Sequence, residues 1–396
     1  MISKSICIKN NYMFTRVMKK GTFFETQAVF LTFCKIVGMR KLLWTLVFLL
    51  PIGLWAQDIH FSQFYMSPLN LNPALTGVMN CKMRFIANYR NQWAPVLKSN
   101  SFNTFNASFD QKIPVSRYDY FGFGGTLWGD KAGSLDFRTV SFKLSGSYAK
   151  RMSGSRTSSN YLVFGLDGSL NSRSVNFHNA IWGNQITSNG PNTNLPGDPT
   201  VYDPNFIFAD ISLGLLWFSV LDKKNNFYFG GSYSHLNEPL QNNAKNVSGN
   251  NFVAAPLYPK LAVHAGGVFQ MGYRNSLVPG IVSFFQGPHW QVNGGTSVRF
   301  NVSQSKYDEQ SFQLGLWARL ANSEKTETGN QLKKGILMDA LILSTRFDYN
   351  KMGFGLSYDI NTSSLRNASA ANNSFELSFI YNICGPERRG IYCPNF

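Results

Sequence analysis

Histidines are the first residues to consider for chemistry, because imidazole serves both as a metal ligand and as a general base. Five are present, scattered along the chain, and none stands in an HExxH or His-x-His arrangement. Zinc sites need ligands at such close spacings. The histidines therefore predict no metal centre and no metal cofactor. They are His60, His178, His235, His264 and His289.

Nucleophiles and phosphate loops are also missing from the sequence. No serine lies in a GxSxG elbow, and no Walker-type glycine loop occurs. The glycines of Phe121–Gly125 lie in a segment with strand periodicity, where they let strands curve and pack closely. Asp339, Asp359 and His264 would meet only under an assumed strand order. These residues favour a protein that is not an enzyme.

The elements that position these residues show the periodicity of β-strands, since side chains alternate between two faces. Val140–Tyr148 and Phe375–Ile383 place an apolar or glycine residue at every second position. About 14 segments of about ten residues share this pattern, the length of a tilted strand that crosses a bilayer. They lie near 83–92, 101–111, 119–129, 134–150, 159–172, 207–221, 226–236, 258–271, 277–287, 289–301, 311–321, 335–348, 351–361 and 373–383.

Composition favours a membrane barrel over a soluble β-protein. The 396 residues are 15% aromatic and 15% charged, and the mean hydropathy is −0.15. Soluble domains carry about 25% charged residues. The polar strand face is rich in Ser, Asn, Gly and Gln, which suits the interior of a closed, all-β antiparallel barrel in lipid. A soluble sandwich or propeller is the alternative, although no fixed-period repeat is visible.

The first 56 residues read as a leader with a secretory signal peptide. The apolar run Leu42–Ala56 has 15 residues, fewer than the roughly 20 that a spanning helix needs, and it follows Met39-Arg40-Lys41. We expect cleavage after Ala56 and translation from Met39, the alternative being a genuine long leader. This leader holds eight basic residues and one acidic, so the net charge falls from +16 to 16 − 7 = +9. Nucleic acid is not an expected partner.

The connections between strands are predicted to be uneven. Gln286–Pro288 and Asp348–Asn350 read as tight turns. Longer polar connections are expected at the outer surface or inside the lumen; they are 176–204, 237–256, 323–334 and 361–373. In the exported protein one disulfide is expected among three cysteines. The sequence leaves its pairing open among Cys81, Cys384 and Cys393.

Several sequence blocks, in order along the chain, carry a resemblance to a known family. The clearest are Gln57–Tyr65 and Ser67–Gly77, the latter containing Asn72-Pro73-Ala74-Leu75-Thr76-Gly77. The chain strongly resembles the PorP/SprF family, outer-membrane proteins of the type IX secretion system and gliding motility. Residues 1–38 lie outside the pattern, and Asn395 stands where the family often has Arg. The other blocks are Tyr89–Trp93, Phe105–Asp110, Ser234–Pro239, Gly315–Arg319, Met338–Leu341, Gly355–Ile360 and Tyr392–Phe396.

The resemblance implies a non-enzymatic outer-membrane barrel that helps to secrete or anchor a surface adhesin through its C-terminal domain. The implied partners are lipid, that adhesin domain and periplasmic components of the type IX system. The alternative is a transport barrel, porin-like or for apolar solutes. The expected organisation is a leader (1–56), an N-terminal periplasmic or plug segment (57–82), the barrel (83–384) and a tail (385–396).

Eight residues of the matching blocks are candidate site positions, with roles that the resemblance does not define. We expect His235 to be a hydrogen-bonded strand end, because buried polar groups find partners. Asp339, within an apolar strand, is expected to pair with Arg319 or Arg346, since an unpaired buried carboxylate is costly. The eight positions are Ser62, Gln63, Asn72, Pro73, Gly77, His235, Asp339 and Asp359.

Overall fold

The computed structural model describes most of the chain that follows the predicted leader. The described residues are 58–155, 158–176, 180–181, 183–187, 190–195, 205–222, 224–240, 256–305, 308–327, 331–363, 372–385 and 393–394. The expectations for the leader and the signal peptide fall outside these residues, and so does His178.

Fourteen antiparallel strands close into a barrel, as the periodicity predicts. Each strand pairs with its neighbours along the chain, and the last strand closes the barrel against the first with Ile383 opposite Met83. The barrel strands are β1 (Met83–Gln92), β2 (Phe102–Pro114), β3 (Tyr120–Ala132), β4 (Phe137–Gly154), β5 (Ser159–Ser174), β8 (Asn205–Val220), β9 (Asn226–Ser234), β10 (Lys260–Gln270), β11 (Asn275–Gln286), β12 (His289–Ser305), β13 (Asp308–Glu327), β14 (Gln331–Tyr349), β15 (Met352–Asn361) and β16 (Asn372–Ile383).

Short elements complete the structure. Strands β6 (Ile186–Thr187) and β7 (Gly190–Pro191) form a small separate hairpin. The α-helices are α1 (Pro68–Leu71) and α2 (Ala94–Leu97), and 3₁₀ turns lie at Phe64–Met66, Pro73–Leu75, Lys98–Asn100 and Gly183–Gln185. No helix among the described residues has the length and apolar character needed to cross a membrane.

The two faces of the barrel wall differ in chemistry, which confirms the predicted alternation. In β5, Phe164, Leu166 and Leu170 point outward and are 56%, 53% and 60% exposed, whereas Asp167 and Ser169 between them are buried in the lumen. A band of large apolar side chains facing outward is what a lipid-embedded barrel requires. The outer face is the lipid face, and polar chemistry is confined to the lumen and the two ends.

The two ends of the barrel carry different connections. At the end where β1 begins and β16 finishes, the strands follow one another closely, and the fully described connections 115–119, 271–274 and 350–351 are short turns. We call this the terminal end. The opposite, long-loop end has the three longest separations between consecutive barrel strands, 175–204, 235–259 and 362–371, and also shorter connections such as 93–101, 133–136 and 287–288. The predicted loop at 323–334 is wrong, because β13 continues to Glu327 and β14 begins at Gln331, so most of that segment is a paired strand extension.

A disulfide fastens the terminal end. Cys81, just before β1, is bonded to Cys384, just after β16, across a sequence separation of 303 residues. This bond resolves the pairing that the sequence leaves open, and it links the first and last strands at the seam where the barrel closes. Cys393 retains a buried thiol near Tyr120.

Candidate functional site: a plug that fills the lumen

Residues 58–79, which we call the plug, run through the lumen from one end of the barrel to the other. At the long-loop end, the backbone N–H of Asp58 donates to Gln286 Oε1 at 3.0 Å. At the terminal end, Lys112 Nζ donates to the carbonyl of Met79 at 2.9 Å. The segment is buried along almost its whole length. It therefore occupies the space that a channel would use.

The plug folds into short turns because of its prolines. Pro68 and Pro73 each open a helical turn, and the lack of an N–H on proline prevents one continuous helix. Asn72 is extended, and its Oδ1 accepts from the N–H of Ala74 at 2.8 Å, which caps the second turn. Gly77 has a φ of +72°, and a Cβ there would lie 2.7 Å from Gly122 Cα in the wall. The backbone at this point suits only glycine.

Asn72 is the centre of contact between the plug and the wall. Its Nδ2 lies 3.1 Å from the carbonyl of Leu215, 3.0 Å from that of Gly231 and 3.0 Å from His264 Nε2. These three residues belong to β8, β9 and β10, so one side chain bridges three strands. His264, weighed in the sequence as a catalytic candidate, is a fully buried contact of the plug.

Glycines in the wall make room for this turn. A Cβ at Gly165 would overlap the backbone of Pro73 and Ala74, and a Cβ at Gly214 would overlap the side chain of Asn72. On the same strand as Gly165, the outward-facing Gly168 has nothing within 4 Å of its virtual Cβ. The inward glycines are therefore required by the plug, since only glycine allows so close an approach.

Ser62 and Gln63 are held by a buried carboxylate. Glu376 on β16 accepts the backbone N–H of Ser62 at 2.6 Å and that of Gln63 at 2.9 Å. The hydroxyl of Ser62 donates to Asp359 Oδ2 at 2.8 Å and accepts from Arg319. The backbone of the plug is thus bound by ionised side chains, and hydrogen bonds to charged groups are the stronger class.

The charges around Ser62 compensate one another across five strands. Arg319 lies 2.9 Å from Asp359 and 3.5 Å from Asp339, and Arg90 lies 3.5 Å from Glu376 and 3.7 Å from Asp359. Arg90 also donates to the carbonyl of His60. The expected pairing of Asp339 with Arg319 is confirmed. The second expected partner, Arg346, lies 2.8 Å from Asp348 instead.

His235 fastens the start of the plug to the wall. It follows β9, as the sequence predicts, and its ring contacts Asp210 Oδ2 at 2.8 Å and Asp58 Oδ2 at 2.6 Å. Burial alone would lower the pKa of His235, but Asp58 and Asp210 raise it to about 9. Burial would raise the pKa of Asp58, but His235 and Lys260 hold it well below its usual range. The pair is ionic at neutral pH, and we call it the His235 latch.

Aromatic rings pack the plug between the latch and Asn72. Tyr65 stacks on Trp317 with ring centroids 5.4 Å apart, and Phe64 meets Trp317 edge-on at 5.7 Å. Tyr65 also donates to Ser344 Oγ at 3.3 Å. Such aromatic pairs contribute about 0.5–1.5 kcal/mol beyond their buried area.

The plug is anchored near the terminal end by Asp110 and Arg84. Asp110 Oδ2 accepts the N–H of Gly77 at 2.8 Å, and Arg84 forms a two-point bond to Asp110 at 3.0 and 2.7 Å. Arg84 also donates to the carbonyl of Leu75 at 3.3 Å. Beyond this point Cys393 lies below the plug, where its N–H donates to Asn80 Oδ1 at 2.7 Å.

All eight candidate positions are described by the structure. Ser62, Asp339 and Asp359 meet around Arg319, and Gln63 contributes its backbone to the same cluster. The other four lie apart from this cluster, at separate contacts between plug and wall. Sequence reasoning missed Glu376 and Asp110. Each is an acidic residue on a strand face that otherwise consists of small polar side chains. That pattern could have predicted them, because a buried carboxylate needs a cation or an N–H group as its partner.

The chemistry of this site is that of binding. Among the described residues, no three His, Cys, Asp or Glu side chains come together as a metal site. The charged groups around Ser62 and Gly77 face one another or the plug backbone. The arrangement described above holds a polypeptide segment in place.

The comparison with protein families matches this chain over residues 54–381, with the family described as type IX secretion system membrane protein PorP/SprF. The chain belongs to the PorP/SprF family. The match spans both the plug and the barrel. The family and the barrel together indicate an outer-membrane component of type IX secretion. No curated protein sequence matches the chain.

Solved structures provide only distant likenesses. The CymD monoaromatic hydrocarbon channel is 11% identical, with 85% of this chain and 96% of that chain covered and a TM-score of 0.43. CdiB from Acinetobacter baumannii is 7% identical over 76% of this chain, with a TM-score of 0.41, and CdiB from Escherichia coli is 5% identical over 75%, with 0.39. The PorP/SprF chain spans 60% and 63% of these two CdiB chains. Likenesses this low carry no inference about function.

Proposed function

We propose that this PorP/SprF protein is a non-enzymatic docking barrel that helps to secrete or anchor a surface adhesin through the adhesin's C-terminal domain. The observation that carries the proposal is the plug, which runs the length of the lumen and is bonded to the wall at every level. A filled lumen leaves the two ends of the barrel as the surfaces that meet other proteins.

The ends differ in a way that suits two kinds of partner. Outer-membrane barrels carry short turns on the periplasmic side and longer loops outside. By this rule the terminal end, with the Cys81–Cys384 disulfide, faces the periplasm and meets components of the secretion machinery. The long-loop end faces the medium and contacts the adhesin domain. In this orientation Asp58 lies toward the medium, and of the two expectations for residues 57–82, a periplasmic segment or a plug, we propose the plug.

The porin-like form of the transport alternative is less well supported by this lumen. An open porin needs a continuous aqueous path, and here wall glycines and buried charges are matched to the plug backbone. A purified barrel that gives large, steady conductance in planar bilayers would contradict the docking proposal. We expect conductance at the level of the protein-free bilayer.

We also propose that the exported protein begins at Gln57, after cleavage behind Ala56. A mature chain that starts at this point places Asp58 directly in the His235 latch, with no leader inside the barrel. Mass spectrometry of the intact purified protein tests the cleavage. A mass that includes residues 39–56 would refute it.

The docking role is tested by deletion and complementation. A strain that lacks the gene should retain its adhesin inside the cell or lose it to the medium, and the wild-type gene should restore surface adhesin. A crosslinker fixed at the long-loop end should capture the adhesin's C-terminal domain, whereas the same crosslinker at turn 271–274 on the terminal end should not. Normal surface adhesin in the deletion strain would overturn the proposal.

A further inference from the structure

A polar cavity lies beside the start of the plug, at the long-loop end. It holds about 570 Å³ of empty space, part of it open to solvent, between the plug and strands β3 to β5 and β8 to β10. Asp58 and the His235 latch form one side. Its walls combine hydroxyl, amide, charged and aromatic side chains, whereas apolar pockets for hydrocarbons have few charges. The chemistry of the lining therefore points to a polar ligand.

Three buried polar atoms in the lining have no hydrogen-bond partner among the described residues. They are Ser141 Oγ, Ser212 Oγ and Asp210 Oδ1, in side chains that are 1%, 1% and 6% exposed. The second carboxylate oxygen of Asp210 is already taken by His235. Buried polar groups almost always have a partner, and a small rotation of these side chains would turn the three atoms toward a molecule bound in the cavity. Two hydroxyls and a carboxylate oxygen match the hydroxyls of a sugar.

The charged side chains around the cavity carry a net charge of +1, which one bound anion would neutralise. The positive groups are Lys143, Arg173, Lys260 and protonated His235, and the negative groups are Asp58, Asp167 and Asp210, which gives 4 − 3 = +1. Lys143 Nζ lies 3.4 Å from Asp167 and Lys260 Nζ lies 3.6 Å from Asp58, both beyond a good hydrogen bond. Two ammonium groups held by such long ion pairs can turn toward a carboxylate or phosphate.

Aromatic faces complete the lining. Trp128 on β3 and Phe208 on β8 are only partly buried and border the same cavity. An aromatic ring offers an apolar face to the C–H side of a sugar ring, while the polar groups around it bind the hydroxyls. We propose that this cavity binds a saccharide unit carrying one negative charge, a uronate or a sugar phosphate. This site is independent of the docking function.

Direct binding tests the proposal. The probes are a panel of uronates and sugar phosphates, each with its neutral counterpart, and acetate as a charge without a sugar. They are titrated by calorimetry into the full mature barrel in detergent. At least one acidic sugar should bind ten-fold or more tightly than its neutral counterpart and than acetate. If no acidic sugar does so, the proposal is overturned.

Variants locate the site. Lys143→Met and Ser212→Ala should each weaken binding of that sugar ten-fold or more, and Trp128→Phe should remove the fluorescence change on binding. Lys131→Met is the matched control, because Lys131 is a lysine on β3 near the long-loop end that pairs with Asp136 outside the cavity. Heat-modifiability on gels checks that each variant folds. Unchanged binding in folded Lys143→Met and Ser212→Ala would overturn the assignment.

The sugar has two sources that the same experiment separates. If the natural ligand is a free sugar acid, the monosaccharide binds and the extracted polysaccharide does not displace it. If the natural ligand is a sugar residue of a surface glycan, polysaccharide extracted from the outer membrane of the same cells binds the barrel and competes with the monosaccharide. Either result supports the cavity as an acidic-sugar site, and failure of both refutes it without affecting the docking proposal.

Discussion

Replacement of Glu376 by glutamine is the sharpest test of how the plug is held. The side chain of Glu376 is fully buried and binds two backbone N–H groups of the plug, those of Ser62 and Gln63, at 2.6 and 2.9 Å. An amide has one oxygen, so Glu376→Gln keeps one of these bonds and turns an NH₂ group toward the other N–H donor. It also removes the negative charge that faces Arg90 at 3.5 Å.

The magnitude follows from the bonds that are lost. A hydrogen bond to a charged group contributes about 1.5–3 kcal/mol. With the weakened pairing to Arg90, we expect the docking of this part of the plug to lose about 2–4 kcal/mol. Local opening should then become about 30- to 1000-fold more frequent, since 1.4 kcal/mol corresponds to a factor of ten.

Hydrogen exchange with mass spectrometry measures this opening directly. The peptide that contains Ser62 and Gln63 should exchange faster by the factor above, while the paired strands keep their protection. Ser357→Ala is the matched control, because Ser357 lies opposite Glu376 in the β15–β16 register, is equally buried and has no hydrogen-bond partner among the described residues. Unchanged exchange in Glu376→Gln, or the same acceleration in Ser357→Ala, would refute the reasoning.

Three further perturbations test other contacts of the plug. Gly165→Ala should displace the Pro73–Leu75 turn and expose it to protease, whereas Gly168→Ala on the same strand should match the wild type, as it meets nothing within 4 Å. Asp58, which also pairs with Lys260, and Asp210 raise the native pKa of His235 to about 9. The latch should therefore be fully formed below the ordinary His pKa of 6.5, and its contribution to stability should fall by up to about 3 kcal/mol as the pH rises through 9. Exchange of the amides near Asp58, corrected for its intrinsic pH dependence, measures this, and a flat profile would contradict it. Reduction of Cys81–Cys384 should lower the unfolding temperature on heat-modifiability gels, since the bond closes a loop of 303 residues worth about 6 kcal/mol in the chain-entropy model; an unchanged temperature would contradict that model here.

The strands could be predicted from the sequence because the pattern that marks a strand involves only neighbouring residues. Period-two alternation in β5 or β16 needs only neighbouring residues, and the number of barrel strands followed from it. The extension of β13 to Glu327 was missed, since the polar residues of 323–334 resemble a loop until their pairing with β14 is known. The alternation of apolar and polar residues marks a strand only where one face contacts lipid, so a hairpin that extends beyond the membrane lacks this pattern.

The path of the plug could not be predicted, because its contacts join residues that are far apart in sequence. Ser62 and Glu376 are separated by 314 residues, and Asn72 and His264 by 192. Prolines at 68 and 73 favour turns, but nothing local indicates that these turns lie in the lumen or that the segment starts at the long-loop end. The pairing of Cys81 with Cys384 depends on barrel closure in the same way.

Release of the whole plug would be too costly for a gate that opens often. Four plug side chains, Met66, Leu69, Leu75 and Val78, are at most 1% exposed. At about 1.5–3 kcal/mol for each buried apolar side chain, their exposure to water would cost about 6–12 kcal/mol. That corresponds to a closed-to-open ratio of about 10⁴ to 10⁹, before any hydrogen bond is counted. Any movement that serves secretion is therefore expected at the Asp58 end of the plug, where the His235 latch and the acidic-sugar cavity lie together.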